Sequence, residues 1–210
     1  MSGRRTELAR LVIASGNAGK LREIAAILAP LGTAIVPQGE LGVPEAAEPH
    51  GTFVENALAK ARHAARITGL PALADDSGLC VDALAGGPGV RSARYAEDGD
   101  PALPQDERNN RKLLAALTHE TNRRAHYYCV MVLVRSADDP QPLIAEGEWH
   151  GEVTREPRGA GGFGYDQLFH IPAAGCTVAE MTPEAKNRVS HRAQALLRLA
   201  QRLGGGAGAP

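Results

Sequence analysis

Three stretches of this sequence carry residue types suited to phosphate and metal chemistry. Ser15, Gly16, Asn17, Ala18, Gly19 and Lys20 follow a short apolar run and precede a segment of helical periodicity. A loop in that setting offers backbone N–H groups and the positive end of a helix, and Lys20 adds a point charge, a combination suited to a phosphate chain. The spacing is not a Walker A loop, which needs Gly at Ala14 and Ser or Thr at Leu21; a plain strand-to-helix turn is the alternative. Asp75 and Asp76 are adjacent at the expected end of a strand, so their side chains point to opposite faces. A carboxylate there can hold Mg²⁺ against phosphates and also orient or deprotonate a water, unless Asp75-Asp76-Ser77-Gly78 is only an Asx turn. Asn56, Lys60 and His63 share one side of a helix and supply further polar partners.

A second group of residues suits a planar base. Gly159 to Gly164 matches G-x-G-x-x-G, but Tyr165 to Phe169 reads as a strand where a dinucleotide fingerprint would require a helix. The glycines are better read as letting the backbone approach a base, with Phe163 or Tyr165 stacking on it, or as a hairpin loop without a ligand. Lys186, His191 and Arg192 form a donor cluster for an acceptor edge or a phosphate, or else a solvated helix start.

Composition narrows the function classes. With 23 basic and 24 acidic residues among 210, the formal charge of −1 gives no long-range field for nucleic acid or anionic membrane, and 4% aromatics disfavours a nucleic-acid-binding surface. The three cysteines are odd in number and widely spaced, and the histidines lack metal-ligand spacing, so a disulfide framework and a zinc site are both unexpected. No apolar run approaches the length of a membrane span and no signal sequence is evident, so a soluble cytoplasmic protein is expected. Arginine outnumbers lysine 19 to 4, and Lys20, Lys60 and Lys186 all fall within the segments above.

These residues need an α/β scaffold. Leu8 to Ser15 and Thr33 to Val36 read as strands around a helix that ends before Pro30. Thr52 and Glu55 make a capping box for a helix that runs to Gly69. Pro71 to Ala74 is expected as a strand, Leu79 to Leu84 as a further one, Gln105 to Leu117 as a helix, and Ala125 to Arg135 with Pro142 to Trp149 as a long hairpin. The segment from Thr182-Pro183 to about Leu203 is helical with a break near Ser190, because Lys186 and His191 lie about 140° apart on one straight helix. Residues 1–203 are expected as a single bilobed domain, and 204–210 as a flexible tail.

Taken in order, SGNAGKLREI (15–24), GTFVENALAKARHAA (51–65), ALADDSGL (72–79), GVRSARYA (89–96), GGFGYDQLF (161–169) and AKNRVSHRAQAL (185–196) closely resemble the inosine triphosphate pyrophosphatase family. That resemblance implies an elongated mixed central sheet flanked by helices, two lobes around a nucleotide cleft, and a homodimer. It implies hydrolysis of non-canonical purine nucleoside triphosphates (ITP, dITP, XTP) to monophosphate and pyrophosphate. By motif matching, Ser15 to Lys20 would bind the triphosphate and Asp76 would be the metal-linked proton acceptor. Ser77 would touch the substrate, while Phe163, Gly164, Tyr165 and Asp166, with Lys186, His191 and Arg192, would enclose the base. Asn56 and Lys60 fit as phosphate or metal-side partners, and Mg²⁺ would be held by Asp76 and Glu48. Two departures stand out: Ala47 precedes Glu48 where the family often has paired acids, and Gln167 replaces the usual proline. A Nudix-type hydrolase lacks support because its glutamate-dense helix is missing; a non-catalytic nucleotide sensor on this scaffold would lack a working carboxylate, and Asp76 is present.

Overall fold

A computed structural model describes residues 10–29 and 33–204. Seven strands form one sheet in the order β2-β1-β3-β4-β5-β6-β7: β1 (Arg10–Ile13), β2 (Ala34–Pro37), β3 (Ala72–Val81), β4 (Arg124–Val134), β5 (Leu143–Val153), β6 (Phe169–Ile171) and β7 (Cys176–Thr177). The sheet is mixed: β1 runs parallel to β2 and β3, whereas β6 is antiparallel to β5 and β7. The helices are α1 (Ala18–Leu28), α2 (Phe53–Thr68), α3 (Gln105–Ala116), α4 (Pro183–Val189) and α5 (His191–Gly204). Leu8, Pro30 and the expected tail from 205 onward lie outside the described residues. Among those described, no helix is long and apolar enough to cross a membrane.

The chain divides into two compact units, one holding the described residues up to Asp76 with Cys129–Gly147 and those from His191 onward, the other holding Ser77–Tyr128 and Glu148–Ser190. Each unit has its own apolar core. In the first, Leu11, Ile13, Leu73, Met131 and Leu133 alternate onto one sheet face and meet Ile24 and Leu28 of α1 and Leu196 and Leu199 of α5. Small residues dominate the buried side of α2, where Ala57, Ala61, Ala64 and Ala65 let the helix lie close to the sheet beside β1. In the second unit, Leu79, Val81, Tyr127, Trp149 and Phe169 pack with Leu113 of α3 and with Leu117, which caps its end.

The helix ends largely behave as read. Thr52 caps α2, its hydroxyl oxygen accepting from Glu55 N at 3.4 Å, but the expected box is only half made, because the Glu55 carboxylate accepts from the Thr52 hydroxyl at 2.5 Å and not from its backbone N; Gly69 ends the helix at φ +68°. Ser190 separates α4 from α5. Two expectations are corrected. Asp75 and Asp76 do not end a strand or form an Asx turn: β3 runs unbroken through them for ten residues. Gly78 permits this, because a side chain there would overlap the Gly89 carbonyl and the Ser92 hydroxyl that accepts from Leu79 N. Tyr165 to Leu168 form turns, and the strand begins only at Phe169.

An ionic group lies within the core of the first unit. Asp75, 1% exposed, shares the face of Leu73, and its Oδ2 is 2.9 Å from Lys20 Nζ and 3.3 Å from Nη2 of Arg192. Arg192, also 1% exposed, donates through Nη1 to Glu23 of α1. Burial pushes the Asp75 carboxyl upward, but Lys20, Arg192 and Lys60 outweigh it and hold its pKa well below the ordinary 3.8.

Two consequences for stability follow. A side chain at Gly147 of β5 would overlap the His191 carbonyl and crowd Ala195 N in the first turns of α5. Gly147→Ala is therefore expected to cost about 1–3 kcal/mol in chemical denaturation; an unchanged midpoint would mean that α5 has room to move. Because the folded pKa of Asp75 lies below its unfolded value, its contribution is complete above about pH 4 and is lost as pH falls further. Asp75→Asn should be less stable than wild type near neutrality by about 3–5 kcal/mol and lose less between about pH 6 and pH 3. Parallel pH–stability curves would contradict the ion pairing.

Candidate active site

The loop after β1 is shaped by its own polar groups. Ala14 N donates to Leu73 O at 2.8 Å, tying the strand end to β3, and Asn17 N donates to the Ser15 hydroxyl at 3.2 Å. Asn17 caps α1, its side-chain oxygen accepting from Lys20 N at 3.0 Å. The first-turn amides of α1, from Ala18 onward, are those a helix leaves without intrahelical carbonyls, and Gly16, Asn17 and Ala18 are exposed. A side chain at Gly16 would overlap the carboxylate of Glu45, which lies against the loop backbone. Lys20 extends to Asp75, so both its backbone and its ammonium are held.

The opposite face of β3 carries the second carboxylate. Asp76 shares the face of Ala74 and Ala72 and meets α2: Asn56 Nδ2 donates to its Oδ2 at 3.2 Å, and Lys60 Nζ lies 3.3 Å from its Oδ1. Lys60 also reaches Glu48 Oε1 at 2.7 Å, so two carboxylates converge on one ammonium. Asn56 is fully buried and brackets His50, accepting from its N at 3.1 Å and donating to its O at 3.2 Å, and His63 Nε2 is 3.0 Å from Pro44 O. The acidic loop is thereby fastened to α2 at three points.

Burial raises the pKa of Asp76; Lys60 and Lys20 pull it down, Glu48 and Asp75 push it back up, and the net shift is upward. Burial lowers the pKa of Lys60, yet Asp75, Asp76 and Glu48 outweigh it and the ammonium is held more firmly protonated. A carboxylate more basic than usual beside a fixed cation is suited to accepting a proton from water. Glu48 and Asp76 are hard oxygen donors that share the Lys60 ammonium. Among the described residues, no three His, Cys, Asp or Glu side chains form a closed ion cage. Two carboxylates that leave the remaining positions to waters and phosphates match the way Mg²⁺ is held by enzymes acting on nucleotides.

In the second unit, Asp166 organises the glycine loop. It is 3% exposed; its Oδ2 accepts from Phe163 N at 3.0 Å and from Lys186 Nζ at 2.7 Å, and its Oδ1 accepts from Tyr127 OH at 3.1 Å. Gly162, at φ +75°, is required because a side chain there would overlap that carboxylate. Gly164 is fixed from the α3 side, where its N donates to Asp106 Oδ2 at 2.7 Å and its O accepts from Asn110 at 3.0 Å. Lys186 Nζ stands 4.6 Å from the centre of the Phe163 ring, which is half-buried. Beside the loop is a cavity of about 560 Å³ whose lining includes Asp106, Asn110, Gly162, Phe163 and Gly164, within the size range of small-ligand pockets.

Several candidate residues occupy unexpected positions. Tyr165 is buried, packs in the apolar core and donates to Ser92 O at 2.8 Å, so of the two candidate stacking rings only Phe163 is presented. Lys186 joins Asp166 in the second unit, whereas His191 and Arg192 belong to the first, where Arg192 is engaged with Glu23 and Asp75. Ser77, half-buried on β3, opens the second unit's first segment. Sequence reading missed Asp75, Glu23 and Tyr127 as partners, and Asp106 and Asn110 as supports of the loop. The alternation of Asp75 with Asp76 was the available signal for the first; the others depend on pairings distant in the chain.

The chain matches the Ham1 family model over residues 11–202. It is 63% identical over 195 residues to a dITP/XTP pyrophosphatase of Ralstonia nicotianae, covering 92% of this chain and 96% of that one. Among solved structures it resembles a HAM1 protein from Coxiella burnetii, with a TM-score of 0.85 and 48% identity over 94% of this chain and 99% of that one. The Staphylococcus aureus Ham1 protein superposes with a TM-score of 0.80 at 36% identity, over 93% and 98% of the two chains. With its motifs, its mixed sheet and nearly its whole length in agreement, the chain belongs to the Ham1 family.

Proposed function

We propose that this protein is a nucleoside triphosphate pyrophosphatase that hydrolyses non-canonical purine nucleoside triphosphates (ITP, dITP, XTP) to the monophosphate and pyrophosphate. The observation that carries the reading is the Asp76 carboxylate, buried, raised in pKa, and held between Lys60 and Asn56 with Glu48 on the same ammonium. Relatives 61–63% identical to this chain are dITP/XTP pyrophosphatases, which supports the substrate class.

The reaction is in-line attack of water on the α-phosphorus, with pyrophosphate leaving. Asp76 orients the water and accepts its proton. Lys20 and Lys60 balance the charge that develops on the phosphate oxygens. The loop Ser15 to Gly19 takes the phosphate chain through the start of α1 and the backbone of Gly16, Asn17 and Ala18, which are exposed, and Asn56 fixes Asp76. Glu48 and Asp76 would hold Mg²⁺, which supplies positive charge against the phosphates and lowers the pKa of a bound water. On the base side, Phe163 offers a stacking face, Gly164 and the backbone of Tyr165 the close approach, and Asp166 the anchor that keeps Lys186 in place as a donor. Ser77 and His191 complete the residues assigned to the substrate; Arg192, which shares the motif of His191, is engaged instead with Glu23 and Asp75. A donor aimed at the 6-oxo group of hypoxanthine or xanthine meets an amino group in adenine, a mismatch of roughly 1–3 kcal/mol per lost bond. The working form is a cytoplasmic homodimer.

The test is pyrophosphate release with Mg²⁺ from inosine, xanthosine, guanosine and adenosine triphosphates. Inosine and xanthosine triphosphates should be favoured over adenosine triphosphate by about 5- to 150-fold in kcat/KM, the equivalent of one lost hydrogen bond. No release from any of the four would leave a nucleotide-binding protein without this activity. Asp76→Asn should lower kcat by about 10²–10⁴-fold while the protein stays folded; retained turnover would remove Asp76 from the reaction. Phe163→Ala should raise KM for inosine triphosphate more than it lowers kcat, in steady-state assays of the same reaction.

A further inference from the structure

The carboxylate next to Asp76 has no part in the chemistry above, yet it is the more deeply buried of the two and the more heavily paired. We propose that Asp75 is a positioning residue for the reaction: it holds the Lys20 ammonium in place at the phosphate loop, and Arg192, with Glu23, fixes Asp75 in turn. The inference rests on the assignment of Lys20 to the phosphates.

A lysine ammonium sits on a flexible four-carbon stem, so at a loop it would sample many positions unless tethered. Here the tether is a carboxylate on a central strand, 1% exposed, with Oδ2 2.9 Å from Lys20 Nζ. Asn17 already fixes the other end of the residue by accepting from Lys20 N at 3.0 Å. Asp75 cannot turn away easily, because Nη2 of Arg192 lies 3.3 Å from the same oxygen. The guanidinium is a rigid fork, and its Nη1 is bonded to Glu23 on α1, the helix that begins at the loop. The set therefore joins the phosphate loop, α1, β3 and the start of α5 through two cations and two anions. Arg192 on this view acts through Asp75, consistent with its 1% exposure. A salt bridge serving only the fold would have the same geometry, but it would not depend on Lys20 for its effect on turnover.

That dependence is measurable in a double-mutant cycle. Steady-state kcat and KM for inosine triphosphate with Mg²⁺ would be compared for wild type, Asp75→Asn, Lys20→Met and the double variant, each normalised to its folded fraction from circular dichroism melts. Lys20→Met is expected to lose about 100-fold in kcat/KM, and Asp75→Asn about 10-fold with most of the loss in kcat, as for a misplaced charge. The double variant should fall no further than Lys20→Met. Losses that multiply would overturn the proposal, since Asp75 would then act independently of Lys20. If Lys20→Met retains full activity, the phosphate role of Lys20 fails and the proposal fails with it, while Asp76→Asn still tests the reaction separately. Should Asp75→Asn not fold, the cycle is run with Arg192→Lys, which keeps the charge but loses the fork. A several-fold loss with Lys20 present and none in Lys20→Met would support the tether; equal losses in both backgrounds would overturn it.

Discussion

The side-chain alternation of one strand underlies the proposed chemistry. Because β3 stays extended through Asp75 and Asp76, two adjacent carboxylates are sent to opposite faces of the sheet and into different surroundings. One meets α1 and α5, with Lys20 and Arg192; the other meets α2, with Asn56 and Lys60. Had the strand ended at Ala74, neither separation would be enforced. Gly78 is part of the same constraint, since only the absence of a side chain lets the 89–94 turn close on the continuing strand.

The two carboxylates differ in what burial does to them. Around Asp75 the neighbouring cations outweigh desolvation, and the group stays ionised as a fixed structural charge. Around Asp76 desolvation prevails despite Lys60, leaving a more basic oxygen next to a cation and a second carboxylate. Such a division of labour between neighbouring acids arises from environment alone. Asp166 in the second unit performs a third task with the same functional group: it satisfies a loop amide, a lysine and a tyrosine, and so gives a glycine-rich segment one shape. The carboxylate occupies the space that any side chain at Gly162 would need.

Much of this was legible from local patterns. The Thr52 cap, the Gly69 stop and the Ser190 break depend on residues within a few positions of one another, and β1, β2 and β4 announce themselves by short runs of apolar residues. The shared face of Asn56 and Lys60 follows from helical spacing, and both do reach Asp76. What failed to show was set by contacts distant in the chain. β3 looked like two strands because Asp-Asp-Ser-Gly is turn chemistry in isolation; the lysines, Arg192 and Asn56 that satisfy its acids are supplied by helices elsewhere. Tyr165 looked like a strand residue with a free ring, but its hydroxyl is used by Ser92 O and its ring by the core. Arg192 was grouped with Lys186 by proximity in sequence, whereas its guanidinium pairs with Glu23, 169 positions away.

The separation of roles between Asp75 and Asp76 is tested most directly by a crystal structure with Mg²⁺ and a non-hydrolysable α,β-imido analogue of inosine triphosphate. The expected result is the ion on the Asp76 face, in contact with Asp76 and Glu48, and Lys20 at the phosphates with Asp75 still paired to Arg192. An ion bound by Asp75, or phosphates lying away from both Lys20 and Asp76, would contradict it.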